Sequence, residues 1–126
     1  MKLDIALVER SATEWWYPIR VAMEHENVAS DFGDTEVPKL FSVRCPFKVG
    51  ITYVQGQSPQ KGLAKIREHL RNRFDVISHV VGEDPRTEYL FLVGAPLVVS
   101  SWYALDFRAS EGLGNKDFQP LELPTK

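Results

Sequence analysis

The sequence predicts an α+β domain: a mostly antiparallel sheet, one long amphipathic helix over about residues 59–81 packed on one face, then a C-terminal hairpin and an extended tail. Three observations predict it. Leu63, Ile66, Leu70, Phe74, Ile77 and Val81 recur at steps of 3 and 4, which keeps them on one helical face. Segments before and after that stretch alternate apolar and polar residues with the period of two that a strand requires. Polar, turn-forming residues punctuate the chain between them.

Each element follows from local chemistry. Leu3, Ile5 and Leu7 fall on one side, with Asp4 and Glu9 breaking up the rest, as in a first strand. Ser11 and Glu14 have the spacing of a capping box, but Pro18 opposes a helix running through that segment. Trp15, Tyr17, Ile19, Val21 and Met23 alternate instead with Trp16, Pro18, Arg20, Ala22 and Glu24. This is a second strand, at a sheet edge, where a proline removes no ladder bond. Residues 26–39 are polar and acidic and form the longest predicted loop.

Phe41, Val43, Cys45, Phe47, Val49, Ile51 and Tyr53 then share one parity. Gly50 marks either a bulge in one bent strand or a turn between two short ones. Ser58 is a good N-cap, because its hydroxyl accepts from an orphan backbone N–H, and Pro59 fits the first helical position. Gly82 supplies the stop, so the helix is about 35 Å long at 1.5 Å per residue. Residues 83–86 form a turn, residues 88–93 an apolar strand, and Gly94-Ala95-Pro96 the break before a second alternating run, residues 97–107. A hairpin results. From Ala109 onward the composition predicts an extended or partly disordered tail.

At 126 residues the chain is one domain, residues 1–126, able to bury a core without disulfide or metal. Its one cysteine, Cys45, cannot form an internal disulfide. No apolar run is long enough to span a bilayer, and the N-terminus lacks the basic-then-apolar layout of a signal peptide, so a cytoplasmic protein with no membrane partner is expected. Charge is unevenly spread. Residues 1–37 carry 3 basic and 8 acidic side chains (−5), residues 38–75 carry 8 and 2 (+6), and residues 76–126 carry 4 and 7 (−3). Part of the basic excess is the solvent face of the helix, at Lys61, Lys65 and Arg71 with Arg67 and Arg73 on its flanks; the alternative is a basic docking surface for an acidic partner. The net acidic chain, with no nucleic-acid motif, argues against nucleic acid as partner.

Signals for catalysis are weak. His25, His69 and His79 lie far apart, and one cysteine supplies no zinc spacing, so neither a metal site nor a cofactor is expected. The parity of Cys45 with Val43 and Phe47 makes it a core thiol rather than a nucleophile. Arg44-Cys45-Pro46-Phe47-Lys48 has no carboxylate two positions before the lysine, as an acidic nuclease would require. The chain is therefore not expected to be an enzyme. Adjacent aromatic residues are more informative. Trp15 and Trp16 face opposite ways in a strand, as do Trp102 and Tyr103, so Trp16 or Trp102 can face outward and anchor a partner. Asp31, Asp34 and Glu36 in the acidic loop complete the expected contact set.

Four segments carry a resemblance: Val8-Glu9-Arg10; Tyr17-Pro18-Ile19-Arg20-Val21; Arg44-Cys45-Pro46-Phe47-Lys48-Val49-Gly50; and Gly56-Gln57-Ser58-Pro59-Gln60-Lys61-Gly62-Leu63. Over residues 5–75 the chain resembles small bacterial domains taken to be immunity proteins of polymorphic toxin systems. It departs at Lys61-Gly62, where their pattern has Gln-Ala. The resemblance implies a non-enzymatic inhibitor that neutralises a partner protein, such as a toxin domain with a basic surface. The alternatives are a structural or assembly subunit, self-associating through the Pro18 edge and the tail, and a small enzyme with His69 or His79 beside a carboxylate.

Overall fold

The computed structural model describes residues 4–8, 19–27, 32–56, 58–81, 84–96 and 101–122, with backbone alone at 33, 34 and 75–81. The fold is α+β, with a mixed six-stranded sheet ordered sequentially, β1-β2-β3-β4-β5-β6. Its strands are β1 (Ile5–Val8), β2 (Ile19–His25), β3 (Phe47–Tyr53), β4 (Glu88–Ala95), β5 (Ser101–Arg108) and β6 (Gln119–Pro120). The sheet is mostly antiparallel: β1/β2, β4/β5 and β5/β6 run antiparallel, and β2/β3 and β3/β4 run parallel. Each parallel pair needs a crossover, and a helix supplies it both times. Among the described residues those helices are α1 (Val37–Ser42) and α2 (Pro59–Val81). The expected strand start at Trp15–Pro18, including Trp16, lies outside the described residues.

The segment expected to be a long loop is instead partly helical. A π-helical turn over Phe32–Glu36 runs directly into α1. Val37, Leu40 and Phe41 fall on one side at steps of 3 and 1 and are buried, while Pro38 stands in the first turn, where its missing N–H costs no bond. Phe41 therefore belongs to a helix, and the strand begins only at Phe47. The run of matching parity from Phe41 to Cys45 is a coincidence of helix and connection.

Gly50 marks neither a bulge nor a turn, for β3 pairs without interruption on both sides. It is a point of close approach. A Cβ there would stand 2.6 Å from Cζ of Phe32 and 2.8 Å from Cδ1 of Phe91.

The sheet register separates two faces. On the helix side lie the rows Ala6-Ala22-Lys48-Tyr89-Phe107, Glu24-Gly50-Phe91-Leu105 and Thr52-Val93-Tyr103. Phe74 of α2 packs edge-on against Tyr89 and Phe107, with ring centroids 5.8 and 5.0 Å apart, and Phe41 of α1 closes on Phe74 and Tyr89. Leu63, Ile66 and Leu70 join the same core. The polar parity of β3, Lys48 and Thr52, thus points under the helices. Lys48 is buried there, donating to the Tyr89 hydroxyl at 3.3 Å and lying over a ring it can polarise.

Residues 109–122 follow β5 as turns and the short strand β6, with Leu113 and Phe118 buried in the core. Arg67 donates to the carbonyls of Lys116 (2.7 Å) and Gly114 (3.2 Å), and Arg71 to Gly114 (2.6 Å). Part of the basic helix face is therefore spent on holding this segment. Gly112 and Gly114, at φ 65° and 53°, take the left-handed conformation the turns require.

Candidate functional site

The second sheet face carries a run of apolar rows. Its rows are Leu7-Val21-Phe47, Ile5-Met23-Val49-Leu90, Ile51-Leu92-Ala104 and Tyr53-Gly94-Trp102. Both described helices and the π-helical turn contribute their buried side chains to the opposite face, and Val49, though buried, stands apart from that core. Most of these side chains are half-buried. A cavity of about 480 Å³ opens on this side beside Phe47 and Leu90, rimmed by Glu88, Asp106 and Arg108. Glu88 and Arg108 form an ion pair of 3.3 Å across it.

Among the described residues, no strand pairs with the outer edge of β1. All four residues of β1 are exposed, and Ile5, Leu7 and Val8 keep 51%, 56% and 50% of their surface. At the carboxyl ends of the parallel strands sits an aromatic row. His25 meets Tyr53 edge-on at 5.5 Å, with its Nε2 3.2 Å from the Tyr53 hydroxyl, and Tyr53 meets Trp102 at 5.7 Å. Gly94 is what lets these rings close, since a Cβ there would lie 2.8 Å from the Tyr53 ring.

The expected contact residues are therefore divided. Trp102 lies on the apolar face, half-buried. Trp16 and Asp31 lie outside the described residues, and Asp34 is placed in the π-helical turn by its backbone alone. Glu36 is buried. It is 6% exposed, because the turn that carries it folds over β2, and its carboxylate faces Lys39 at 3.2 Å.

Sequence reasoning missed what Glu36 joins. Asp4, Glu24 and Glu36 each offer a carboxylate oxygen, all within 4.8 Å of one another. Glu24 is fully buried, and neither of its oxygens has a hydrogen-bond partner among the described residues. Burial, then the Glu36 carboxyl beside it, then the charge of Asp4 push Glu24 up to about 8, while Glu36 holds the Lys39 ammonium more firmly charged than usual. Three separate segments contribute one residue each, so no spacing motif exists to find; the one signal was Glu24 sharing the parity of the buried Ala22.

A basic groove of about 1050 Å³ lies below the start of β3, with Arg20, Arg44, Lys48 and Arg86 on its walls. Among the described residues its one carboxylate, Asp84, is bound to Arg86 at 3.1 Å, which holds the carboxyl below its usual range. Cys45 also lines it, buried, with its thiol donating to the Phe47 carbonyl at 3.4 Å. His25 and His69 are exposed, with no carboxylate paired to either ring among the described residues, and the His79 side chain lies outside them. No described helix is long and apolar enough to cross a membrane. No protein family, curated protein or solved structure matches the chain.

Proposed function

We propose that this chain is a small cytoplasmic protein-binding module that neutralises a partner protein, in the manner of an immunity protein acting on a toxin domain. The observation that carries the reading is the apolar sheet face that continues into the exposed edge Ile5, Leu7 and Val8. A hydrophobic patch joined to an open strand edge offers a partner both apolar burial and backbone pairing. Trp102 and Tyr53 supply the large, rigid rings on which binding energy concentrates. The net charge of −5 over residues 1–37 favours a basic partner and speeds its approach.

The same edge favours one second reading. Two β1 strands can pair antiparallel about a two-fold axis, making the chain a self-assembling structural subunit. One experiment separates the two. Tagged protein and its Leu7→Lys variant are used to capture partners from host lysate at low and high salt, and both are sized by light scattering. A stoichiometric foreign partner held by the wild type and lost by the variant supports the inhibitor. A wild-type dimer that the variant converts to monomer, with no foreign partner, supports the assembly subunit. Capture unchanged by Leu7→Lys removes β1 from the interface.

A further inference from the structure

Glu24 poses a problem that hydrogen bonding among the described residues does not solve. It is fully buried on β2, and neither carboxylate oxygen finds a donor. The two carboxylates that face it are already supported. Asp4 Oδ2 accepts the backbone N–H of His25 at 2.8 Å, and both Glu36 oxygens accept from Lys39 Nζ, at 3.3 and 3.2 Å. An unsupported buried carboxylate is costly, so something positive must stand against it. A proton shared with Glu36 satisfies one oxygen of Glu24 and leaves the other without a donor. The charge balance points the same way: among the described residues Lys39 is the ammonium that faces the three carboxylates, and with all three ionised they leave −2.

We propose that Asp4, Glu24 and Glu36 form a binding site for a hard divalent cation, with Glu24 as the innermost ligand. Oxygen donors alone select magnesium, manganese or calcium over zinc. Calcium binds oxygen at about 2.3–2.6 Å, so two of its donors stand up to about 5 Å apart, and a triad whose oxygens all lie within 4.8 Å of one another needs at most a small contraction to receive it. Magnesium, at about 2.0–2.1 Å, demands a tighter and more regular set of donors. The bound ion ties the residue before β1 to β2 and to the π-helical turn, three segments joined by long connections. The site stands independently of the protein-binding reading, because none of its ligands lies on the apolar face.

The test uses the whole chain, freed of metal by chelator, at pH 8.5, where protons compete least for Glu24. Calcium, magnesium and manganese chlorides are titrated separately by calorimetry, with thermal unfolding followed in parallel. One saturable site per chain is expected, with Tm rising by roughly 10 °C at a hundredfold excess over Kd. Glu24→Gln keeps the shape and removes the charge, and is expected to weaken binding by at least about tenfold. Asp4→Asn, at an exposed position, serves as the second variant should Glu24→Gln fail to fold, and is expected to weaken binding as well. No saturable heat and no Tm shift up to about 10 mM cation, beyond the roughly millimolar Kd of the weakest protein calcium sites, would overturn the proposal. So would a folded variant at either position that binds like the wild type.

Discussion

Replacing Gly50 by alanine tests how the π-helical turn sits on the sheet. The new Cβ would lie 2.6 Å from Cζ of Phe32 and 2.8 and 2.9 Å from two atoms of the Phe91 ring. Carbon pairs prefer about 3.5–4.0 Å, so the methyl overlaps two rings by nearly an ångström. Both rings are buried to within 1% of their surface and have no open side to move into. Overpacking of this kind costs about 1–3 kcal/mol, and two rigid neighbours place it at the upper end. The smaller backbone entropy of alanine in the unfolded chain returns about 0.4–1 kcal/mol. A net loss of about 2 kcal/mol remains. Over 126 residues the unfolding entropy is about 0.26 kcal/mol per kelvin, so Tm should fall by roughly 8 °C. Thermal and urea unfolding measure it, with the urea slope m unchanged. In combination with Phe32→Leu, which makes room, the two losses should add to less than their sum by about 1 kcal/mol or more. A Tm within about 2 °C of wild type, or strict additivity with Phe32→Leu, would refute the seating of Phe32 over Gly50.

Two further outcomes follow from the same contacts. Glu24 titrates near 8 when folded and near 4.5 when unfolded, so its protonation stabilises the fold fully below about pH 4.5. That contribution is lost as pH rises toward 8, by at most about 1.4 kcal/mol per pH unit. Metal-free wild type should therefore lose stability between pH 5 and 8 relative to Glu24→Gln, which has no proton to lose; parallel stability profiles for the two proteins would contradict this. Phe118→Ala empties a core position filled from the C-terminal segment and should cost about 3 kcal/mol. Limited proteolysis should then cut the segment that Arg67 and Arg71 hold; cleavage elsewhere first would show that the segment contributes little to the core.

The parts of the fold that were legible in the sequence are those whose signal is local. The α2 stripe from Leu63 to Phe74 and the β4/β5 hairpin repeat their pattern over many residues, and neighbours in sequence decide the outcome. α1 was hidden because Phe41, Val43, Cys45 and Phe47 alternate by chance across a helix end and a connection. Val37, Leu40 and Phe41, after which the chain turns, carried the competing helical spacing over too few residues to outweigh it. Alternation in β3 did identify a strand but not the layer its faces meet. Lys48 and Thr52, outside the apolar parity, lie beneath the helices, where Tyr89 supports the ammonium. The acidic triad was illegible for a different reason. Asp4, Glu24 and Glu36 meet only through the pairing of β1 with β2 and the folding of the turn over them, a tertiary event without a sequence spacing.

Whether a partner lands on the sheet face or on the helices is the question on which the proposed function turns. The direct measurement is the Kd of the captured partner for Leu7→Lys and for Lys65→Glu, side by side with wild type. Leu7 stands on the exposed edge of the apolar face and Lys65 on the exposed side of α2. Binding through the sheet face predicts a loss of about 100-fold for Leu7→Lys, the scale of a central interface residue, and less than about twofold for Lys65→Glu. A strong loss at Lys65 with none at Leu7 would contradict it and move the contact to the basic helix face.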